Sequence, residues 1–133
     1  MDDPHNPATD SIVLLKRLRE VTHLTSAELD KLPFGVIKVD KGGTVLAYNA
    51  AEARLAGRTP SDVIGRHFFT EIAPCTNVPS FAARFHRGIE LGQLRDVFPF
   101  TFPFPTGSVL VTVTLIHEPG ADHAWIFVDR TGN

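Results

Sequence analysis

Residues 96–129 constrain the fold more than any other stretch of the chain. They hold three runs rich in Val, Ile, Phe and Thr, at 96–104, 109–117 and 123–129, separated by Pro105-Thr106-Gly107-Ser108 and Glu118-Pro119-Gly120-Ala121-Asp122. Such runs, bounded by turn residues, read as consecutive strands. Pro99 and Pro103 have no N–H to give a ladder, so the first strand belongs at a sheet edge. Upstream, 35–40 and 44–48 form a hairpin around Lys41-Gly42-Gly43. Between the two strand groups the signals are helical. Asn49 caps a helix closed by Gly57, a single turn at 61–64 stops at Gly65, and 80–91 carries Phe81, Phe85 and Ile89 on one face before Gly92. This order implies an α+β domain: a five-stranded antiparallel sheet with helices mainly on one face.

Two further helices precede the hairpin. Residues 1–9 are polar and broken by proline, so they are expected to be loosely ordered. From Asp10 or Ser11, Ile12, Leu15, Leu18 and Val21 line one face of a helix that runs to about His23. Thr25 and Glu28 have capping-box spacing and start a short helix ending near Lys31. The apolar faces of both must cover something, and the outer face of the sheet is available. Residues 1–31 are thus expected to form an N-terminal helical cap on a core of residues 32–133, within one domain overall.

Charge narrows the partners. Thirteen basic and 15 acidic residues are spread through 133 positions, for a net charge of −2. This leaves no face suited to nucleic acid or to an anionic membrane. No apolar run is long enough to span a bilayer and the N-terminus lacks a signal-peptide pattern, so a soluble cytoplasmic protein, monomeric or weakly dimeric, is the expectation. The six histidines show no metal-ligand spacing, and no Cys/His signature of a thiol enzyme is present.

The single cysteine lies between two prolines in Ala73-Pro74-Cys75-Thr76-Asn77-Val78-Pro79. Each proline fixes its own φ and drives the residue before it toward an extended shape, so Cys75 is displayed on a stiff loop flanked by aromatics. That suits covalent attachment, although a buried inert thiol is the commoner fate of a free cysteine. Tyr48 and Glu52, four residues apart across a strand end and a helix start, can aim into the same gap. Two alternatives stay open: Glu52 as a helix cap answering Asn49, and Tyr48 as a core tyrosine. Arg58, just beyond Gly57, reads as a lid over that gap or as a solvated surface charge.

Taken together, Tyr48-Asn49-Ala50-Ala51-Glu52, Gly57-Arg58, Val63-Ile64-Gly65, Phe68-Phe69, Ala73-Pro74-Cys75-Thr76, Pro79, Phe81, Phe85, Gly88 and Gly92 resemble the photoactive yellow proteins, bacterial blue-light receptors of PAS fold. The resemblance covers about residues 32–128. It implies that Cys75 carries trans-4-hydroxycinnamic (p-coumaric) acid as a thioester, with Tyr48 and a protonated Glu52 hydrogen-bonding its phenolic oxygen. Arg58 matches a gateway arginine and Phe102 a pocket phenylalanine, while Ala73 and Thr76 bracket the thioester. By the same resemblance the protein is a light sensor rather than an enzyme, loosening its N-terminal cap to signal to an unidentified downstream protein. Two positions depart from the pattern. Ala56 stands where a threonine usually supports the tyrosine, and no methionine occupies the 105–108 turn, which implies slow return to the dark state. The competing expectation is a PAS-type binding module that holds another ligand or none.

Overall fold

A computed structural model describes residues 23–130 together with Lys16, Arg19 and Val21. The expected first helix and the segment 1–9 lie largely or wholly outside these residues. The second expected helix is present as α1, Ser26–Leu29. Strands β1 (Gly35–Asp40) and β2 (Val45–Tyr48) form the hairpin. Helices α2 (Ala50–Ala56) and α3 (Pro60–Val63) follow, and α4 (Arg84–Leu91) leads into β3 (Leu94–Phe104), β4 (Gly107–His117) and β5 (His123–Arg130).

All five strands pair antiparallel in the order β2-β1-β5-β4-β3. As the prolines require, β3 lies at an edge. The β3–β4 turn is tighter than expected: pairing continues to Phe104 opposite Gly107, leaving only Pro105 and Thr106 between the strands. Gly107 permits this by adopting φ 125°, in the region closed to most side chains.

The inner face of the sheet presents Ile37, Val39, Val111, Val113, Leu115, Ile126 and Val128, all at most 1% exposed, to Phe68, Phe69, Phe81 and Phe85. Phe81 meets Phe98 and Phe100 edge-on at 5.2 Å each, contacts that add about 0.5–1.5 kcal/mol apiece beyond buried area. They clamp the segment after Cys75 onto β3. On the outer face, Val21 and Leu29 bury Val36, Ile116 and Phe127, with Leu24, Leu32, Phe34 and Trp125 packed around them.

The segment 73–79, expected as a stiff loop, is wound together with its flanks into three short helical pieces. A π-helical turn (Phe68–Ile72) and a 3-10 turn (Pro74–Thr76) are followed by a second π-helical turn (Pro79–Ala83) that runs into α4. Each proline opens its piece, where a missing N–H costs nothing, so the residues that stop one turn also start the next. Ala73 (φ −133°, ψ 68°) and Val78 (φ −135°, ψ 159°) are held out of the helical region, as the residue before proline should be.

Candidate functional site

Tyr48 ends β2 and Glu52 lies in the first turn of α2, so the strand-to-helix corner carries both. The corner is fixed by Asn49, whose side chain is fully engaged. Its Oδ1 accepts from Val36 N at 2.9 Å and Glu52 N at 3.1 Å, and its Nδ2 donates to Leu29 O at 2.8 Å and Phe34 O at 3.0 Å. Its backbone N–H is taken by Val36 O at 3.1 Å. Glu52 therefore has no donor to cap: Asn49 holds the Glu52 backbone, and the Glu52 side chain turns inward instead.

That side chain is 2% exposed, and its Oε1 has no hydrogen-bond partner. The room comes from Gly35, because a Cβ at that position would run into Glu52 Oε1. Burial pushes the Glu52 carboxyl up to about 7, against a smaller lowering by its hydrogen bond with Tyr48. Much of it is a neutral acid, able to donate, near neutral pH. Burial also raises the Tyr48 hydroxyl, helped by the charge of Glu52 and opposed by Arg58.

Arg58 follows the left-handed Gly57 (φ 67°) that ends α2, and its Nη2 reaches across to Ile72 O at 3.2 Å. It thus ties the end of α2 to the segment that presents Cys75. Cys75 is half-buried on the 3-10 turn, and burial raises its thiol above the ordinary range. A raised thiol argues against a resting thiolate nucleophile. Beneath it, Thr76 is fully buried, and its Oγ donates to Ala73 O at 2.6 Å.

These elements enclose a cavity of about 320 Å³ whose lining includes Tyr48, Glu52, Arg58, Ala73, Cys75 and Phe102. The volume falls at the lower end of small-molecule sites, which run roughly 300–1,000 Å³. Of the seven residues singled out from the sequence, Thr76 alone is not in the lining; it supports the wall through Ala73. Ala56 lines it from α2, and Phe104 and Pro105 complete the β3 side, Phe104 stacking on Phe102 at 5.0 Å. Phe104 was findable, since it shares a strand face with Phe102. Gly35 was missed, although a glycine inside a strand often marks a close approach.

Among the described residues no cluster of His, Cys, Asp and Glu could hold a metal, and no helix is long and apolar enough to cross a membrane. The cavity thus offers one thiol, one phenol, one carboxyl raised by burial and one guanidinium around a largely apolar space.

A family model described as PAS fold matches residues 24–129. Among curated relatives, the chain is 45% identical to the photoactive yellow protein of Rhodothalassium salexigens, over 78% of this chain and 83% of that one. It is 37% identical to the photoactive yellow protein of Cereibacter sphaeroides, over 84% and 98% of the two chains. The structure superposes on the photoactive yellow protein domain of the sensor histidine kinase Ppr from Rhodospirillum centenum with TM-score 0.79 and 44% identity, covering 84% of this chain and 98% of that domain. The PAS domain of the quorum-sensing receptor RpfR from Cronobacter turicensis shares the fold at TM-score 0.63 but only 14% identity. On these grounds the chain belongs to the photoactive yellow protein family: it is a blue-light photoreceptor domain of PAS fold, not an enzyme.

Proposed function

We propose that this domain senses blue light through p-coumaric acid bound to Cys75 as a thioester. The carrying observation is the cavity itself, which has the thiol in its wall together with a buried Glu52, its carboxyl raised by burial and bonded to Tyr48. The residues fit the group. Glu52 Oε1 is an orphaned buried polar atom, and the cavity has the size for a single ring. Once bound, the acid would supply blue absorption and a double bond that isomerises from trans to cis in light.

In this reading Tyr48 and protonated Glu52 donate to the phenolic oxygen and favour its ionised form in the dark. Arg58 contributes positive charge and keeps water out. Ala73 and Thr76 hold the backbone beside the sulfur, and Phe102 forms the apolar wall. After the light step, Glu52 would pass its carboxyl proton to the ionised phenolic oxygen, leaving Glu52 a carboxylate and the ligand a neutral phenol. A carboxylate buried this deeply without a full set of partners costs several kcal/mol, a large part of a total stability of roughly 5–15 kcal/mol.

The strain has a short way out. Asn49 holds the Glu52 backbone on one side and Leu29 O and Phe34 O on the other, and Asp30 accepts from Ala50 N at 2.9 Å. Residues 1–31 act as a releasable cap on the core 32–133; among the described residues, Val21 and Leu29 pack on the outer sheet face, and Leu29 O and Asp30 supply hydrogen bonds to the start of α2. A downstream signalling protein reads its release. The kinase context of the Rhodospirillum centenum relative supports a signalling partner of that broad kind.

Incubation with an activated p-coumaroyl ester tests the reading. The protein should gain the mass of the acid less one water and a visible absorption band, while Cys75→Ser should gain neither. A product that carries the mass but absorbs only in the ultraviolet would defeat the photoreceptor site and leave a PAS module with another ligand or none. With no methionine in the turn after β3, the dark state should return more slowly after a flash than in relatives that have one.

A further inference from the structure

Helix α2 separates two cavities. Glu52 and Ala56 face the one that contains Cys75, whereas Ala51, Arg54 and Leu55, one turn apart, face another of about 300 Å³. Phe34, Leu55 and Val109 bring apolar side chains to this second cavity, and the exposed Arg54 and Arg130 approach it from different elements, α2 and the end of β5.

Among the described residues, no acidic side chain lines it. Arg66, Arg84 and Arg95 are each paired with a carboxylate, on Glu71, Asp96 and Glu118. Arg54 and Arg130 have no such partner among the described residues. Two like charges bordering one concave space reinforce each other's potential and raise the local concentration of anions. The apolar side chains of Phe34, Leu55 and Val109 beside them favour an anion with an apolar body, and a carboxylate on a flat apolar body meets both parts of the site.

We propose that this cavity is a second ligand site, for a small amphipathic carboxylic acid whose carboxylate lies between Arg54 and Arg130 and whose ring or chain rests on the apolar lining. The site is distinct from Cys75 and does not depend on what Cys75 carries. Its occupant rests against the helix that bears Glu52, and against Gly35, which abuts the Glu52 carboxyl from the other side.

Backbone-amide NMR of the full chain, titrated with sodium benzoate and separately with neutral benzamide at low ionic strength, tests the proposal. Benzoate should produce saturable shifts centred on Gly35, Ala51, Leu55, Thr106 and Val128. Benzamide should bind about tenfold more weakly or worse, and Arg54→Gln/Arg130→Gln should weaken benzoate by about the same factor while leaving benzamide unchanged. Lys41→Gln/Arg87→Gln, away from the cavity, removes the same two charges and should bind benzoate like the parent. Equal affinity for benzoate and benzamide, undiminished benzoate binding by the double variant, or no saturable shift up to the solubility limit would each overturn it.

Discussion

The chain uses the same four-residue pattern at two helix starts, to opposite ends. At α1, Thr25 and Glu28 close a complete capping box: Thr25 Oγ accepts from Glu28 N at 3.2 Å, and Glu28 Oε1 accepts from Thr25 N at 2.9 Å. At α2, Asn49 accepts from Glu52 N, but Asn49 N–H already belongs to Val36 O, and the reciprocal bond is not made. Glu28 is fully exposed and its carboxyl is lowered, chiefly by the backbone bond from Thr25. Glu52 is buried and its carboxyl is raised, chiefly by desolvation. One strand hydrogen bond, made by a residue thirteen positions upstream, therefore decides whether the glutamate serves the helix or the cavity.

Removing the two caps should expose the contrast most strongly. Asn49→Ala strips four hydrogen bonds from buried or part-buried backbone groups, two N–H and two C=O. With roughly 1–3 kcal/mol for each group left unsatisfied, partly relieved by relaxation, the loss should be about 3–5 kcal/mol by denaturant unfolding. A loss near 1 kcal/mol would mean that Asn49 is an ordinary cap and that the corner around Glu52 is held by something else.

The two glutamates should also give the protein opposite pH responses. In the unacylated protein, folded Glu52 titrates near 7 against an ordinary value of 4.5. Between these limits the folded state binds more protons than the unfolded state, so stability falls as pH rises from about 4.5 to 7, by about 3 kcal/mol. Glu52→Gln, which keeps a donor and cannot ionise, should flatten that slope and leave the variant the more stable protein above pH 7. An unchanged slope would show that Glu52 is not the buried acid described here.

Gly35 supplies a structural check on the same carboxyl. Gly35→Ala places a methyl group where Glu52 Oε1 lies and should cost about 1–3 kcal/mol. In a Glu52→Ala background most of that cost should vanish, giving a coupling of about 1 kcal/mol or more in a double-mutant cycle. Additive effects would place the strain elsewhere in β1.

How far these features could be read from the sequence follows their range. The strands were legible because Pro99, Pro103 and the Gly-bearing turns act locally, and so was the box at α1, which involves four consecutive residues. The convergence of Tyr48 and Glu52 was legible from their four-residue spacing across one continuous corner, whereas Cys75 joined them only through the family resemblance. The inward turn of Glu52 was not, since Asn-x-x-Glu predicts a capping box and only the pairing of β1 with the start of α2 denies it the donor. The π-helical turns around Cys75 were hidden for a related reason: proline marks where a turn begins, while tertiary packing of Phe68, Phe69 and Phe81 sets how it winds. Arg54 and Arg130 are brought to one cavity by sheet topology alone.

The smallest effect is expected at α1, and it completes the contrast. Thr25→Ala removes one side of an exposed box and should cost about 1 kcal/mol or less. The pH signature of Glu28 runs the other way from that of Glu52. Because the folded-state value of Glu28 is depressed, chiefly by the backbone N–H of Thr25, its contribution is present above the ordinary carboxylate range and is lost as pH falls through the lowered value. Thr25→Ala keeps that N–H and should carry its cost at every pH, whereas Glu28→Gln should reduce stability slightly at neutral pH, converge on the parent in acid, and leave the slope between 4.5 and 7 untouched. If it altered that slope, the two boxes would be coupled through Leu29 O and Asn49, and the N-terminal segment would already be sensing the protonation of Glu52 without any light step.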